Sequence, residues 1–277
     1  VRIRPAPGGT GIEDTRMSGL RISLVQADLF WLDAAANLRH FEAVIAELEG
    51  DTDLVVLPEM FASGFSMEPR RCAEPMDGSC VAWMAAVAAR YNVAVCGSLA
   101  IREGAAFYNR FVFMPPGGVF SAYDKRHLYT LSGEDRVYRR GHSRVVIPYR
   151  GWRICPQICY DLRFPAWCRN RGEYDLLVFV ASWPDERRQH WRGLLRARAI
   201  ENQCYVVGVN RIGEDGNGYR YVGDSAVCEY SGEPIVELGR EPRIATVSLD
   251  LAAQAAYREK LPFLRDADDY TFANGKD

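Results

Sequence analysis

The run Leu176-Leu177-Val178-Phe179-Val180-Ala181 contains no polar side chain. A strand of this kind carries apolar groups on both faces and must be covered on both, as a parallel strand is inside an α/β domain. Leu54-Val55-Val56-Leu57 has the same character and runs directly into Pro58 and Glu59. A third apolar run begins at Trp152 and ends in Cys159. Shorter runs at 20–27, 93–99, 108–114, 119–123, 145–148, 204–210, 223–228, 235–238 and 244–249 predict the remaining strands. Helical spacing predicts a helix capped by Asp33 and running to about Glu49, with Leu38, Phe41, Ile45 and Leu48 on one face. Three more helices are predicted at 79–91, capped by Ser79, at 164–171 and at 187–201. Strands alternating with helices, followed by a strand-rich last third, describe a layered α/β domain.

Charge and cysteine usage narrow the class. The net charge of −2 over 277 residues argues against an electrostatically bound nucleic acid or membrane surface. No run of about 18 apolar residues is present, so no transmembrane helix is expected. The eight cysteines (72, 80, 96, 155, 159, 168, 204, 228) form no disulfide framework and mostly sit in apolar runs, which predicts free thiols and a reducing cytoplasm. No Cys-x2-Cys pair occurs and the four histidines are scattered, so neither a metal site nor another cofactor is expected. Residues 1–16 have no apolar signal core, and Met17-Ser18 precedes the first strand. The expected organisation is a disordered extension over 1–19 and one domain over 20–277. The stretch 61–77, with Gly64, Phe65 and Pro69, reads as a loop over the pocket.

Three residues follow strand ends. Glu59 closes Asp53-Leu-Val-Val-Leu-Pro-Glu59, Lys125 follows Val119–Tyr123, and Cys159 precedes Tyr160-Asp161-Leu162-Arg163-Phe164-Pro165. In α/β sheets, functional groups gather at the carboxyl ends of strands. Brought together, they make a thiol, a base and a cation. Taken singly, Cys159 reads equally as a core thiol, Glu59 as a loop acid and Lys125 as a surface charge.

With these motifs in order, the chain resembles the nitrilase, or carbon–nitrogen hydrolase, superfamily. The resemblance rests on Leu-Pro-Glu-Met-Phe (57–61), Tyr-Asp-Lys-Arg-His-Leu (123–128) and Ile-Cys-Tyr-Asp-Leu-Arg-Phe-Pro (158–165). His190-Trp191 with Arg196-Ala-Arg-Ala-Ile-Glu-Asn202 adds a fourth stretch. It spans about residues 20–270 and is most similar to the omega-amidase branch. It implies an α-β-β-α four-layer sandwich and a homodimer in which two sandwiches stack. It also implies an amidohydrolase that cleaves terminal amides of short 2-oxo dicarboxylic acids through a cysteine thioester.

On that reading Cys159 is the nucleophile, Glu59 the base, and Lys125 with the Tyr160 backbone N–H the oxyanion donors. Lys125 also favours the thiolate. Glu134 lies near the position of the family's second glutamate; the alternative is a loop acid beside Arg136. Phe61, Phe65 and Trp183 are candidate pocket walls, Trp183 reading equally as a core residue. Arg163, Arg187 and Arg188 are candidate partners of a substrate carboxylate; alternatively Arg163 pairs with Asp161, and Arg187-Arg188 is a solvated helix start. His127 and His190 read as hydrogen-bonded structural residues. Other readings are an N-carbamoyl hydrolase or nitrilase on the same triad, and a non-catalytic binding protein on the same fold.

Overall fold

The computed structural model describes residues 19–48 and 50–272. In chain order its elements begin with β1 (Gly19–Gln26), α1 (Ala34–Ala46), β2 (Leu54–Val56), α2 (Pro69–Cys72) and α3 (Ser79–Arg90). Next come β3 (Ala94–Glu103), β4 (Ala106–Met114), β5 (Ser121–Asp124), α4 (Glu134–Val137), β6 (Ile147–Tyr149) and β7 (Trp152–Ile158). They are followed by α5 (Pro165–Cys168), β8 (Leu176–Ala181), α6 (Arg188–Asn202), β9 (Tyr205–Asn210), β10 (Ile212–Glu214) and β11 (Arg220–Val222). The described chain closes with β12 (Ala226–Cys228), β13 (Pro234–Glu237), β14 (Arg243–Asp250) and α7 (Leu251–Lys260).

Two six-stranded sheets result, ordered β14-β1-β2-β3-β4-β5 and β13-β12-β9-β8-β7-β6. Each has a parallel centre, β1-β2-β3 in one and β7-β8-β9 in the other, with antiparallel strands outside. The strand period of two decides what each sheet covers. Leu20, Ile22, Leu24, Leu54, Val56, Ala94 and Cys96 join the core shared with the second sheet. Their neighbours Val25, Val55, Leu57, Val95 and Leu99 pack with Phe41 and Ile45 of α1 and Met84 and Val87 of α3. On the second sheet, α6 contributes Trp191, Leu195 and Ala199 at helical spacing. Each large apolar side chain buried this way contributes about 1.5–3 kcal/mol. The four layers are therefore helices, sheet, sheet, helix, as the resemblance implied.

The local differences have local causes. Gly78, not Ser79, is the N-cap of α3, because the Ser79 hydroxyl bonds Glu74 instead. The predicted helix at 164–171 is a 3-10 turn over Cys159–Arg163 followed by the single turn of α5. The glycine-rich stretch at 213–218 is the tip of a hairpin, β10 pairing antiparallel with β11. Helix α7 was not anticipated; its signal is Asp250, which accepts from the backbone N–H groups of Ala252 and Ala253. The expected N-terminal extension lies outside the described residues, except that Gly19 opens β1. No helix among the described residues is long and apolar enough to cross a membrane.

Gly208 in β9 marks a tight seat of α6 on the second sheet. A Cβ there would stand 2.6–2.8 Å from Leu195 and Trp191 side-chain atoms. Gly208→Ala should push α6 off the sheet and cost about 1–3 kcal/mol, as overpacking does. Urea unfolding measures this, and an unchanged midpoint would contradict the packing described.

Candidate active site

Glu59, Lys125 and Cys159 each follow the carboxyl end of a strand, β2, β5 and β7 respectively, and the two packed sheets bring these ends together. Lys125 Nζ lies 2.8 Å from Glu59 Oε1 and 2.9–3.0 Å from both carboxylate oxygens of Glu134, which opens α4. All three side chains are 0% exposed. Glu134 therefore belongs to the cluster and is not a loop acid beside Arg136.

Two residues the sequence did not single out complete it. Asn109 of β4 donates through Nδ2 to Glu59 Oε1 (2.8 Å) and to Glu134 Oε1 (3.1 Å). Ser182, just past β8, donates its backbone N–H to Glu59 Oε2 at 2.8 Å. The Tyr129 N–H also donates to Glu134 Oε2, at 2.6 Å. Ser182 lies in Ala-Ser-Trp-Pro (181–184), a stretch that resembles the omega-amidase branch, but it acts through its main chain, which no side-chain pattern announces; Asn109 sits mid-strand, and the pairing of β4 with β5 is the only cue to it.

Burial alone would lower the Lys125 ammonium, but Glu134 and Glu59 outweigh it and hold the group charged. For Glu134, burial and the nearby Glu59 raise the carboxyl against the pull of Lys125. Breaking one partner out of such a set typically costs about 3–5 kcal/mol, because a buried charge is left uncompensated.

Cys159 sits at φ 42°, in the left-handed region that a non-glycine residue enters only when its surroundings compel it. Asp161, fully buried, supplies that compulsion. Its carboxylate accepts from the Ile158 N–H at 3.0 Å, the Tyr123 hydroxyl at 2.8 Å and the His127 N–H at 2.9 Å. His127 Nδ1 lies 2.8 Å from the same group. Asp161 thus ties the cysteine turn to the stretch carrying Lys125, and it makes no pair with Arg163. Burial, then the Asp161 charge, raises the Tyr123 phenol and keeps it a donor.

The sequence reading expected Lys125 to favour a thiolate, and Lys125 does pull the Cys159 thiol down, but other influences outweigh it. Burial pushes the Cys159 thiol well up, Glu59 raises it further and Glu134 adds to this, while Lys125 only partly offsets them. With two carboxylates and one ammonium around it, the sulfur is a resting thiol that needs a base.

Cys159 opens onto a cavity of about 570 Å³, whose lining includes Phe65, Tyr160, Arg163, Ser182, Trp183 and Arg187. Phe65 is a wall, its ring centroid 5.0 Å from Lys125 Nζ. Trp183 is both wall and anchored core residue, donating its indole N–H to the Arg187 carbonyl at 2.8 Å. Phe61 does not reach the cavity. The chain reverses at Met60 (φ 45°), and Phe61 turns into the helix-side core, against Phe41 and over Gly97, where a Cβ would be 2.7 Å from its ring.

Arg163 stacks on Trp183 at 4.7 Å and touches His190 Nδ1 at 3.1 Å; no carboxylate among the described residues pairs with it. Arg187 lines the cavity and pairs with Glu186 at 3.1 Å. Arg188 is excluded, since Asp224 holds it through two bonds of 2.6 and 2.9 Å. Among the described residues, no group of three or more His, Cys, Asp or Glu side chains is placed to hold a metal ion.

The α-β-β-α sandwich thus brings a thiol, a carboxylate and an ammonium together at its strand ends. A profile of the carbon–nitrogen hydrolase family matches residues 21–259, and the chain belongs to that family. It is 48% identical over 258 residues to the omega-amidase YafV of Escherichia coli strain K12, covering 92% of this chain and 99% of that protein. It is 32% identical over 250 residues to the 2-oxoglutaramate amidase of Bacillus subtilis strain 168, covering 88% and 96%. Among solved structures it superposes with a TM-score of 0.90 on XC1258 of Xanthomonas campestris, a CN-hydrolase superfamily protein with an arsenic adduct in the active site. That protein is 45% identical, with 92% of this chain and 99% of that one covered.

Glu59→Gln removes the strongest carboxylate influence on the sulfur. The Cys159 thiol should then titrate at a lower pH than in the wild type, read from thiolate absorbance with Cys159→Ala as the blank. An unchanged or higher midpoint would contradict the charge balance described.

Proposed function

We propose that the protein hydrolyses the terminal amide of short 2-oxo dicarboxylic acid monoamides, such as 2-oxoglutaramate and 2-oxosuccinamate, through a thioester on Cys159. The observation that carries this reading is the buried Glu59–Lys125–Glu134 cluster around the one cysteine that lines the cavity, in a chain 48% identical to an omega-amidase.

Glu59 takes the Sγ proton as the sulfur adds to the amide carbon. Charge moves onto the carbonyl oxygen, where Lys125 Nζ and the Tyr160 N–H receive it. The first N–H groups of the 3-10 turn have no partner within the turn and so are free to donate. Glu59 then returns the proton to nitrogen, the C–N bond breaks and ammonia leaves. Water gives a proton to Glu59 and adds to the thioester carbon, the C–S bond breaks as Glu59 passes that proton to the sulfur, and the acid leaves the restored Cys159 thiol. Glu134 and Asn109 hold Lys125 and Glu59 in place. Losing one oxyanion donor typically costs about 10²–10³ in rate.

Substrate choice follows from the walls. Phe65 and Trp183 limit chain length, and Arg163, free of any carboxylate among the described residues, can receive one from the substrate, with Arg187 beside it. The working unit is a homodimer, and the scattered free thiols fit a reducing cytoplasm.

kcat/KM for 2-oxosuccinamate should exceed that for butyramide at least about tenfold, roughly 1.4 kcal/mol of transition-state stabilisation. Equal rates reject the anion-recognising pocket; preference for N-carbamoyl amino acids or nitriles would replace the substrate class. Light scattering should return about twice the 31.2 kDa chain mass, and the monomer mass would refute the dimer.

A further inference from the structure

Ser182 does more in the site than its main-chain bond to Glu59 requires. Its hydroxyl oxygen is buried and has no hydrogen-bond partner. Seven buried side-chain atoms among the described residues share that condition, and only Ser182 belongs to a residue lining the cavity. Leaving a buried hydroxyl unpaired typically costs about 1–3 kcal/mol, and such a group in a folded protein needs an explanation. The fold supplies none: alanine would fill the same space without the cost.

The backbone that carries this hydroxyl is fixed from three sides. The Ser182 N–H donates to Glu59 Oε2 at 2.8 Å, and its carbonyl lies 4.0 Å from Cys159 Sγ. The next residue is clamped by Asn210, which accepts from the Trp183 N–H at 2.7 Å and donates to the Trp183 carbonyl at 3.0 Å. Ser182 therefore stands on a rigid strand end with its backbone N–H on the Glu59 carboxylate and its carbonyl near the Cys159 sulfur, and its unpaired hydroxyl belongs to a residue that lines the cavity. The group bound at that point during reaction is the scissile amide.

We propose that the Ser182 hydroxyl accepts a hydrogen bond from the scissile amide nitrogen and turns it toward Glu59, so that the proton from Cys159 reaches the departing ammonia. This inference rests on the amidase reading above. Glu59 and Lys125 do not supply the contact, since Glu59 is an acceptor for Lys125, Asn109 and the Ser182 N–H, and Lys125 only donates. The hydroxyl oxygen accepts from the N–H and leaves the nitrogen lone pair, once that nitrogen becomes tetrahedral, free to take the proton from Glu59.

The test compares an amide with the methyl ester of the same acid, which has no N–H to orient. Ser182→Ala should lower kcat/KM on the amide about tenfold, the loss of one hydrogen bond made in the transition state, and change the ester less than about threefold. Ser182→Thr, which keeps the hydroxyl, should restore much of the amide rate. The alanine variant should melt at the wild-type temperature or above it, because the hydroxyl has no partner in the free protein. Equal losses on amide and ester, an unchanged amide rate, or a clear fall in melting temperature would each overturn the inference. A wild-type enzyme inert toward amides would instead reject the amidase reading itself.

Discussion

Everything at the site depends on holding one ammonium between two carboxylates in the dry interior of a β-sandwich. Lys125, Glu59 and Glu134 come from three separate stretches, and none is exposed to water. Each ion alone would pay a desolvation penalty of several kcal/mol, and only their mutual placement offsets it. The set is stable because β2 and β5 lie in one sheet and β4, paired with β5, presents Asn109 to both acids. Strand pairing across the sheet is thus a condition for the charges, and the charges in turn penalise any opening that would separate them.

The net negative character of that cluster has a chemical consequence. A thiolate beside two carboxylates is disfavoured, so Cys159 rests as a thiol. The proposed sequence of events follows: the carboxylate that suppresses ionisation is also the group placed to receive the proton when a carbonyl approaches. The left-handed turn at Cys159 stores backbone strain of about 1–3 kcal/mol, which the four interactions to Asp161 hold in place.

Beside this fixed centre lies the cavity. Phe65 and Trp183 give it aromatic walls, and Arg163 lies on the Trp183 indole face with no carboxylate partner among the described residues. A cation in that setting is weakly hydrated and matched to a planar anion. On the function proposed above, orientation of a short substrate between this cation and the sulfur would be the kind of remote contact that raises rate as well as affinity.

What the sequence determined by itself was the set of strand ends and what each one carries. Apolar runs stopping at Glu59, Lys125 and Cys159 are local signals, because a strand buried on both faces must consist of apolar residues and its chemistry must wait for the end. The layered class follows from the same runs, and the motif order pointed to the family. Other features were decided only by tertiary structure. Glu134 and Asn109 had no periodic context, and their roles exist only where α4 and β4 meet Lys125. Phe61, four residues from Phe65, turned into the helix-side core because Met60 reverses the chain, a backbone event that composition does not announce. Arg188 and Arg163 read alike in the sequence, yet Asp224 neutralises the first, while Asp161 is occupied elsewhere and the second has no carboxylate partner among the described residues. The ionisation state of Cys159 likewise had to await the fold, since it depends on the sum of three charges brought together from distant parts of the chain.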